Sequence, residues 1–308
     1  MIEVKNLSKL YGTTRALDGV TFTVPTGQIM GFLGPNGAGK STTMKIITCF
    51  MPPTEGQVTV DGMDAQDESL AVRRKIGYLP ENTPLYTDMN VIDYLTFVQK
   101  LRAIPAAEFP RRIKRMVEQC GLGEVVRKDI GELSKGYRQR VGLAQAMIHD
   151  PEILILDEPT VGLDPNQIVE IRALIKELGR AKTLILCTHI LSEVEAACDR
   201  VLIIDKGKIV ADGTPDGLRA ASQGQDRLFL EIKGPVPEIR AALEKLPGAA
   251  RVAPLEGDGA ARFMVETAGG RDLREAVFVL VRDRQWVLLE LRREAVRLED
   301  VFRELTAH

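Results

Sequence analysis

The stretch Gln28-Ile29-Met30-Gly31-Phe32-Leu33-Gly34-Pro35-Asn36-Gly37-Ala38-Gly39-Lys40-Ser41-Thr42-Thr43-Met44-Lys45-Ile46-Ile47 reads as three pieces in succession. Gln28 to Leu33 is a β-rich apolar run, Gly34 to Lys40 a glycine-rich loop, and Ser41 to Ile47 the start of a helix. The loop fits the pattern G-x-x-x-x-G-K-[ST] in the strand–loop–helix context that gives this pattern its meaning. Glycines let backbone N–H groups turn inward without Cβ clashes, and the helix N-terminus adds partial positive charge, so the loop is built to grip phosphate. Lys40 is placed to reach the outer phosphates of a nucleoside triphosphate, and Ser41 to bind Mg²⁺. Gly34, Pro35, Asn36, Gly37, Ala38, Gly39, Lys40, Ser41 and Thr42 are the candidate nucleotide contacts.

Downstream, Ile153-Leu154-Ile155-Leu156-Asp157-Glu158 is an apolar strand ending in two acids, at the end of the strand where α/β sheets place their ligands. In partnership with the loop, Asp157 is a candidate Mg²⁺ ligand, and Glu158 a candidate for orienting or deprotonating an attacking water. Between loop and acids lies Leu133-Ser134-Lys135-Gly136-Tyr137-Arg138-Gln139-Arg140, which opens the helical stretch Val141 to Ile148. Ser134 is a natural N-cap there with Gly136 close behind, so this is a second helix terminus suited to an anion, and taken alone an ordinary cap.

The surrounding pattern is α/β. Residues 1 to 33 alternate short β-rich runs (Ile2 to Val4, Val20 to Val24, Gln28 to Leu33) with turns, and Gln57 to Val60 adds another strand. From Asn90 to about Asp150 the apolar spacing is helical and broken by Pro105 and Gly121, which predicts a helical insert. Ile153 to Leu156 and Thr183 to Cys187 flank the amphipathic stretch Gln167 to Leu178, as a parallel β-α-β unit requires. After Asp212-Gly213-Thr214-Pro215, the polar segment Ser222-Gln223-Gly224-Gln225-Asp226 is the expected linker. Beyond it a strand–helix–strand–strand–helix–strand order and a terminal helix predict a small α+β unit of ferredoxin-like type. The expected division is residues 1–221 and 222–308, with the helical subdomain at about 90–150.

Composition bounds the rest. The 308 residues carry 41 basic and 43 acidic side chains, so the overall charge makes no electrostatic case for nucleic acid or an anionic membrane surface. Cys49, Cys120, Cys187 and Cys198 are scattered without a C-x-x-C pair, which fits reduced thiols in the cytoplasm. Met1 to Asn6 carries charges where a signal peptide needs an apolar core, and Thr183 to Leu191 is too short to span a bilayer. Work at a membrane would therefore need another chain as anchor. Arg111, Arg112, Lys114 and Arg115 read as a solvated helix face, and Tyr86, Tyr94 and Phe97 as core of the insert. Cys187, His189 and Cys198 lack the fourth ligand and spacing of a zinc site.

The order of the pieces, Gly34 to Ser41, then Leu133 to Arg140, then Ile153 to Glu158, then His189, with Tyr11 upstream, resembles the nucleotide-binding subunit of ABC transporters over about residues 1 to 215. The resemblance implies a phosphate-loop NTPase fold of ABC type, with a β-rich N-terminal subdomain, a RecA-like core and a helical insert. It implies ATP and Mg²⁺ as cofactors and ATP-driven head-to-tail pairing with a second ATP-binding subunit. It further implies adenine stacking by Tyr11, γ-phosphate contact by His189, trans contacts from Ser134 and Gly136, and a role for Asp164 in organising the opposite site. Asp164 is equally placed as cap of the helix that follows, and both roles can coexist. Two positions depart from the family pattern. Glu81 replaces the usual glutamine, where it remains a candidate Mg²⁺ ligand, and the signature runs Ser134-Lys135-Gly136-Tyr137-Arg138. Tyr78-Leu79-Pro80-Glu81 and Leu133 to Arg140 look most like the gliding-motility-associated and the multidrug or polysaccharide-export ATP-binding proteins. Their partners are ABC-2-type permeases, which implies a peripheral position at the inner face of the membrane, with permease contact around Glu81 to Asn90. An ABC ATPase acting on ribosomes or DNA, and a nucleotide sensor without turnover, are the alternative readings. A single cassette, no long coiled coil and no basic tail weigh against the first.

Overall fold

The computed structural model describes residues 1–221, 227–255, 260–267, 271–294 and 298–306. The expected linker at 222–226 lies outside the described residues. Met1–Pro215 makes up nearly all of one compact unit, and Asp216–Glu304 forms the other.

The first unit opens with β1 (Ile2–Tyr11) and β2 (Thr14–Val24), then β3 (Ile29–Leu33), α1 (Lys40–Ile47), β4 (Glu55–Val60), β5 (Met63–Asp64), α2 (Ser69–Lys75) and β6 (Ile76–Leu79). The helices α3 (Val91–Leu101), α4 (Phe109–Gln119) and α5 (Lys135–Met147) follow. The core then resumes with β7 (Ile153–Asp157), α6 (Pro165–Gly179), β8 (Thr183–Thr188), α7 (Leu191–Ala197), β9 (Arg200–Asp205) and β10 (Lys208–Gly213). The strands make a four-stranded sheet in the order β2-β1-β4-β5 and a six-stranded sheet in the order β10-β9-β3-β8-β7-β6. β1 runs well past the expected Ile2 to Val4 because it pairs with β2 along its length and with β4 on its other side. Asn90 starts α3 by accepting the Asp93 N–H at 2.9 Å, and the insert breaks between Leu101 and Phe109 and again after Gln119.

β3, β8 and β7 are buried along their whole length, which is why they read as continuous apolar runs rather than alternating ones. Phe32 and Met30 on β3 pack into one core with Phe22, Ile155, Ile185 and Leu202. Truncating a ring as buried as Phe32 to alanine costs on the order of 3–5 kcal/mol. The parallel register aligns the strand ends that matter. Leu33 lies beside Thr188, Asp157 beside Cys187, and Leu79 beside Leu156. The segments leaving β3, β8, β7 and β6 therefore emerge at one edge of the sheet.

The second unit contains α8 (Pro215–Ala221), which begins at the boundary, then β11 (Arg227–Lys233), α9 (Val236–Glu244), β12 (Ala249–Leu255), β13 (Ala261–Thr267), α10 (Arg274–Asp283), β14 (Val287–Glu294) and α11 (Leu298–Thr306). The sheet order is β12-β13-β11-β14, with every neighbouring pair antiparallel. This is two interleaved β-α-β units, the ferredoxin-like arrangement. Leu228, Leu230 and Ile232 alternate inward along β11 and form a core with Phe263, Val265, Ile239 and Val277. Among the described residues, no helix is long and apolar enough to cross a membrane.

Candidate functional site

The loop between β3 and α1 is shaped by glycines with left-handed backbone, Gly37 at φ 80° and Gly39 at φ 109°. Gly39 occupies the N-cap position of α1 and brings no side chain to cap it, which leaves the first-turn N–H groups for an outside acceptor. A Cβ on Gly39 would stand 2.8 Å from the Ala16 carbonyl oxygen and 2.7 Å from Leu17 Cδ2, so β2 presses directly on the loop. The Lys40 ammonium is almost fully buried and donates to the carbonyl oxygens of Gly34 at 2.8 Å and Pro35 at 3.2 Å.

Asp157 ends β7 with its side chain buried, and its Oδ1 has no hydrogen-bond partner. Burial raises its pKa against the lowering effect of hydrogen bonds from Cys187 and Ser41, and the Glu81 charge adds to the rise. Ser41, Glu81 and Asp157 line one cavity of about 480 Å³, together with Tyr78, whose buried hydroxyl is likewise unpartnered. A buried carboxylate oxygen without a donor, beside a hydroxyl and a second carboxylate, is the oxygen donor set that suits Mg²⁺.

Glu158 follows with φ 51°, a left-handed conformation that is strained for a residue with a Cβ. Its N–H donates to Cys187 O at 2.8 Å, which fixes the turn against β8. Its Oε1 lies 2.8 Å from His189 Nδ1 and 3.7 Å from Lys40 Nζ. The His189 side chain is 46% exposed while that of Glu158 is 6% exposed, so the pair joins a buried carboxylate to an accessible ring. The loop, Asp157, Glu158 and His189 thus form one cluster, with Glu81 facing the cavity beside it.

Ser134, Gly136 and Asp164 form a second group. The Ser134 hydroxyl caps α5 by accepting the Tyr137 N–H at 3.3 Å. Asp164 caps α6, accepting the Gln167 N–H at 2.9 Å, while its own N–H donates to Gln167 Oε1. The same Gln167 side chain leaves no room at Gly136, where a Cβ would come within 2.3 Å of its Oε1. The two segments therefore touch through one glutamine. Tyr11 stands apart near the tip of the β1–β2 hairpin, its hydroxyl 3.1 Å from Met51 Sδ and Lys9 Nζ 5.7 Å from its ring centroid.

Sequence reading did not single out Thr160, Thr188 or Glu193, which lie buried behind Glu158 and His189. A glutamate on the inward face of a short helix is the one signal that marks them. Of the residues set aside, Tyr86 packs tilted against Phe97 and edge-on against Tyr94 at centroid distances of 5.5 and 6.0 Å, yet is itself 53% exposed. Arg112 of the basic run is anchored to Glu108 and to the Ile148 carbonyl. Among the described residues, no three or more His, Cys, Asp and Glu side chains converge as a metal-binding group, Cys187, His189 and Cys198 included.

The family model described as ABC transporter matches residues 17–161. The linearmycin resistance ATP-binding protein LnrL of Bacillus subtilis (strain 168) is 35% identical over 235 residues, 76% of this chain and 76% of that protein. The daunorubicin resistance ATP-binding protein DrrA3 of Streptomyces coeruleorubidus is 33% identical over 309 residues, 99% of this chain and 95% of that protein. Among solved structures, a dimeric post-hydrolysis state of the ATP-binding cassette MJ0796 bound to ADP and Pi matches with TM-score 0.65 and 27% identity, over 70% of this chain and 98% of that one. With the phosphate loop, the acidic strand end and the strand order already in place, these likenesses put the chain in the ABC transporter family, as an ATP-binding and ATP-hydrolysing subunit that uses Mg²⁺ and powers a transmembrane permease.

Proposed function

We propose that two copies of the chain pair head to tail, with the triphosphate of each ATP held by the loop of one copy and the α5 terminus of the other. The loop N–H groups and Lys40 cradle the phosphates, and Tyr11 stacks on the adenine. Ser41, Asp157 and Glu81 would hold Mg²⁺, which when bound neutralises the β- and γ-phosphate oxygens. Glu158 orients a water in line with the γ-phosphate and accepts its proton as the new P–O bond forms and the bond to the β-phosphate oxygen breaks, leaving ADP and phosphate. His189 steadies Glu158 and contacts the γ-phosphate. Ser134 and Gly136 supply the trans contacts, and Asp164 reaches toward the opposite site.

The observation that carries this reading is the single carboxylate oxygen, Glu158 Oε1, facing both Lys40 and His189. Phosphate release by Glu158→Gln tests it. That variant keeps the shape and loses the base, so it is expected to bind ATP, stall and accumulate as a closed dimer. Undiminished turnover would end the assignment.

For the membrane partner we propose an ABC-2-type permease, and through it a peripheral position on the cytoplasmic face. Support comes from the Tyr78 to Glu81 and Leu133 to Arg140 segments, and from relatives named as drug-resistance ATP-binding proteins. The docking face would be the segment from Glu81 to Asn90, which carries the half-exposed Tyr86, with Phe50, 74% exposed, at the mouth of the adjoining cavity. Co-purification with a permease from membranes checks this, and recovery with ribosomes or DNA in its place would refute it. The second unit, Asp216–Glu304 in place of the expected 222–308, would act as an accessory domain to this assembly.

A further inference from the structure

Glu193 lies on α7, is 1% exposed, and has no part in the mechanism above. A buried carboxylate needs hydrogen-bond partners, and those of Glu193 come from the two segments that carry the reacting groups. At Oε1 it accepts the hydroxyl of Thr160, two residues beyond Glu158. At Oε2 it accepts the hydroxyl of Thr188, the residue before His189, at 2.8 Å. Arg172 of α6 approaches Oε1 at 4.0 Å and is tied to the neighbouring Ser192 hydroxyl at 2.9 Å.

The Thr188 hydroxyl holds one proton and faces two carboxylates, Glu193 Oε2 at 2.8 Å and Glu158 Oε2 at 3.4 Å. The Thr188 oxygen also accepts the Ile190 N–H at 3.0 Å, which fixes its position. The shorter contact takes the proton. Glu158 Oε1 is already engaged by His189 and Lys40, so Oε2 is left without a strong donor. That is the oxygen with a lone pair to offer a water.

We infer that Glu193 is a positioning residue for ATP hydrolysis, clamping the segments after Glu158 and before His189 through Thr160 and Thr188, and keeping the Thr188 hydroxyl turned away from Glu158. In its absence the Thr188 hydroxyl is free to bond Glu158 Oε2 and occupy the oxygen that receives the water's proton. The inference rests on the reading of Glu158 as the base.

The test compares full-length Glu193→Gln, Thr188→Val, the double variant and Glu158→Gln with the unmodified chain. Phosphate release gives kcat, calorimetry gives ATP affinity, and thermal unfolding reports folding. Glutamine keeps the volume of Glu193 but offers a single acceptor oxygen, so it releases one of the two hydroxyls. Glu193→Gln is expected to lower kcat roughly 10- to 100-fold, as small misplacements of reacting groups do. ATP affinity is expected to stay within about twofold, the mark of an interaction that matters only in the transition state. Adding Thr188→Val to Glu193→Gln should cost nothing further and recover part of the loss, because it removes the hydroxyl that would otherwise occupy Glu158 Oε2. The inference is overturned by a kcat for Glu193→Gln within about twofold of the unmodified chain, by a loss of ATP affinity that matches the loss of kcat, or by effects of the two substitutions that multiply. Normal turnover by Glu158→Gln would overturn it together with the catalytic reading. A stalled Glu158→Gln beside an unimpaired Glu193→Gln would overturn the positioning role alone.

Discussion

His189 Nδ1 stands 2.8 Å from Glu158 Oε1, across the ends of the adjacent strands β8 and β7. The contact fixes the ring's orientation and leaves Nε2 as the other ring nitrogen of a side chain that is 46% exposed. His189→Ala removes the carboxylate's partner and the proposed γ-phosphate contact without touching the buried sheet. Turnover should drop roughly 100-fold, in the usual range for one acid–base or electrostatic contact. ATP affinity should hold, because the phosphate loop is untouched. Rapid-quench measurement of a single turnover separates the two, and a pure loss of affinity would place His189 in binding alone.

The site was legible wherever chemistry and local backbone coincide. Gly34 to Ser41 carries its own strand, turn and helix signals, so the fold there follows from sequence. Asp157 and Glu158 were legible because β7 is buried on both faces and its apolar run ends at the acids. Glu193 was not legible, because its importance depends on hydroxyls 33 and 5 residues away that only the β7–β8 register brings together. β9 and β10 went unread although Lys206 and Gly207, at φ 46° and 78°, make a two-residue turn between them; β9 is fixed by pairing with β3, and β10 by pairing with β9 at the sheet edge. β6 escaped notice as a strand because it is short and follows α2 directly, and its pairing with β7 supplies what local propensity does not.

Gly39 and Gly62 give a matched pair for the loop. Both hold left-handed φ, 109° and 82°, but only Gly39 is crowded, and a Cβ at Gly62 would meet nothing within 4 Å. Gly62→Ala should therefore cost about 1 kcal/mol from backbone strain alone. Gly39→Ala should cost roughly 2–4 kcal/mol and also weaken ATP binding, since relief requires moving the loop or β2. Denaturant melts with calorimetric titration of ATP measure both, and equal costs at the two sites would show that the loop yields freely.

Glu81 places a second carboxylate in the cavity that holds the unpartnered Asp157 oxygen. A unit charge about 4 Å from a singly charged group contributes about 1 kcal/mol in water, and more where solvent is excluded. Glu81→Gln should therefore raise the Mg²⁺ concentration for half-maximal ATPase roughly fivefold or more. The maximal rate at saturating Mg²⁺ is expected to change much less. A Mg²⁺ titration at fixed ATP decides the point, and an unchanged midpoint would take Glu81 out of the cation's surroundings.

His149, just past the end of α5, contacts the Ile76 carbonyl through Nε2 at 3.1 Å, while its buried Nδ1 has no partner. Burial, reinforced by the nearby charge of Arg102 and also by Arg112 and Lys182, lowers its pKa to about 4. In the unfolded chain the ring titrates near ~6.5. Between those values the unfolded state binds the extra proton, so stability is full above about pH 6.5 and falls as pH is lowered toward about 4. At about 1.4 kcal/mol per unit the loss approaches roughly 3 kcal/mol. His149→Gln keeps a donor for the Ile76 carbonyl and removes the titration. Urea unfolding at pH 7.5 and pH 5 should therefore show a smaller difference for this variant than for the unmodified chain. Equal differences would mean that the acid sensitivity of the fold lies in its carboxylates rather than in this ring.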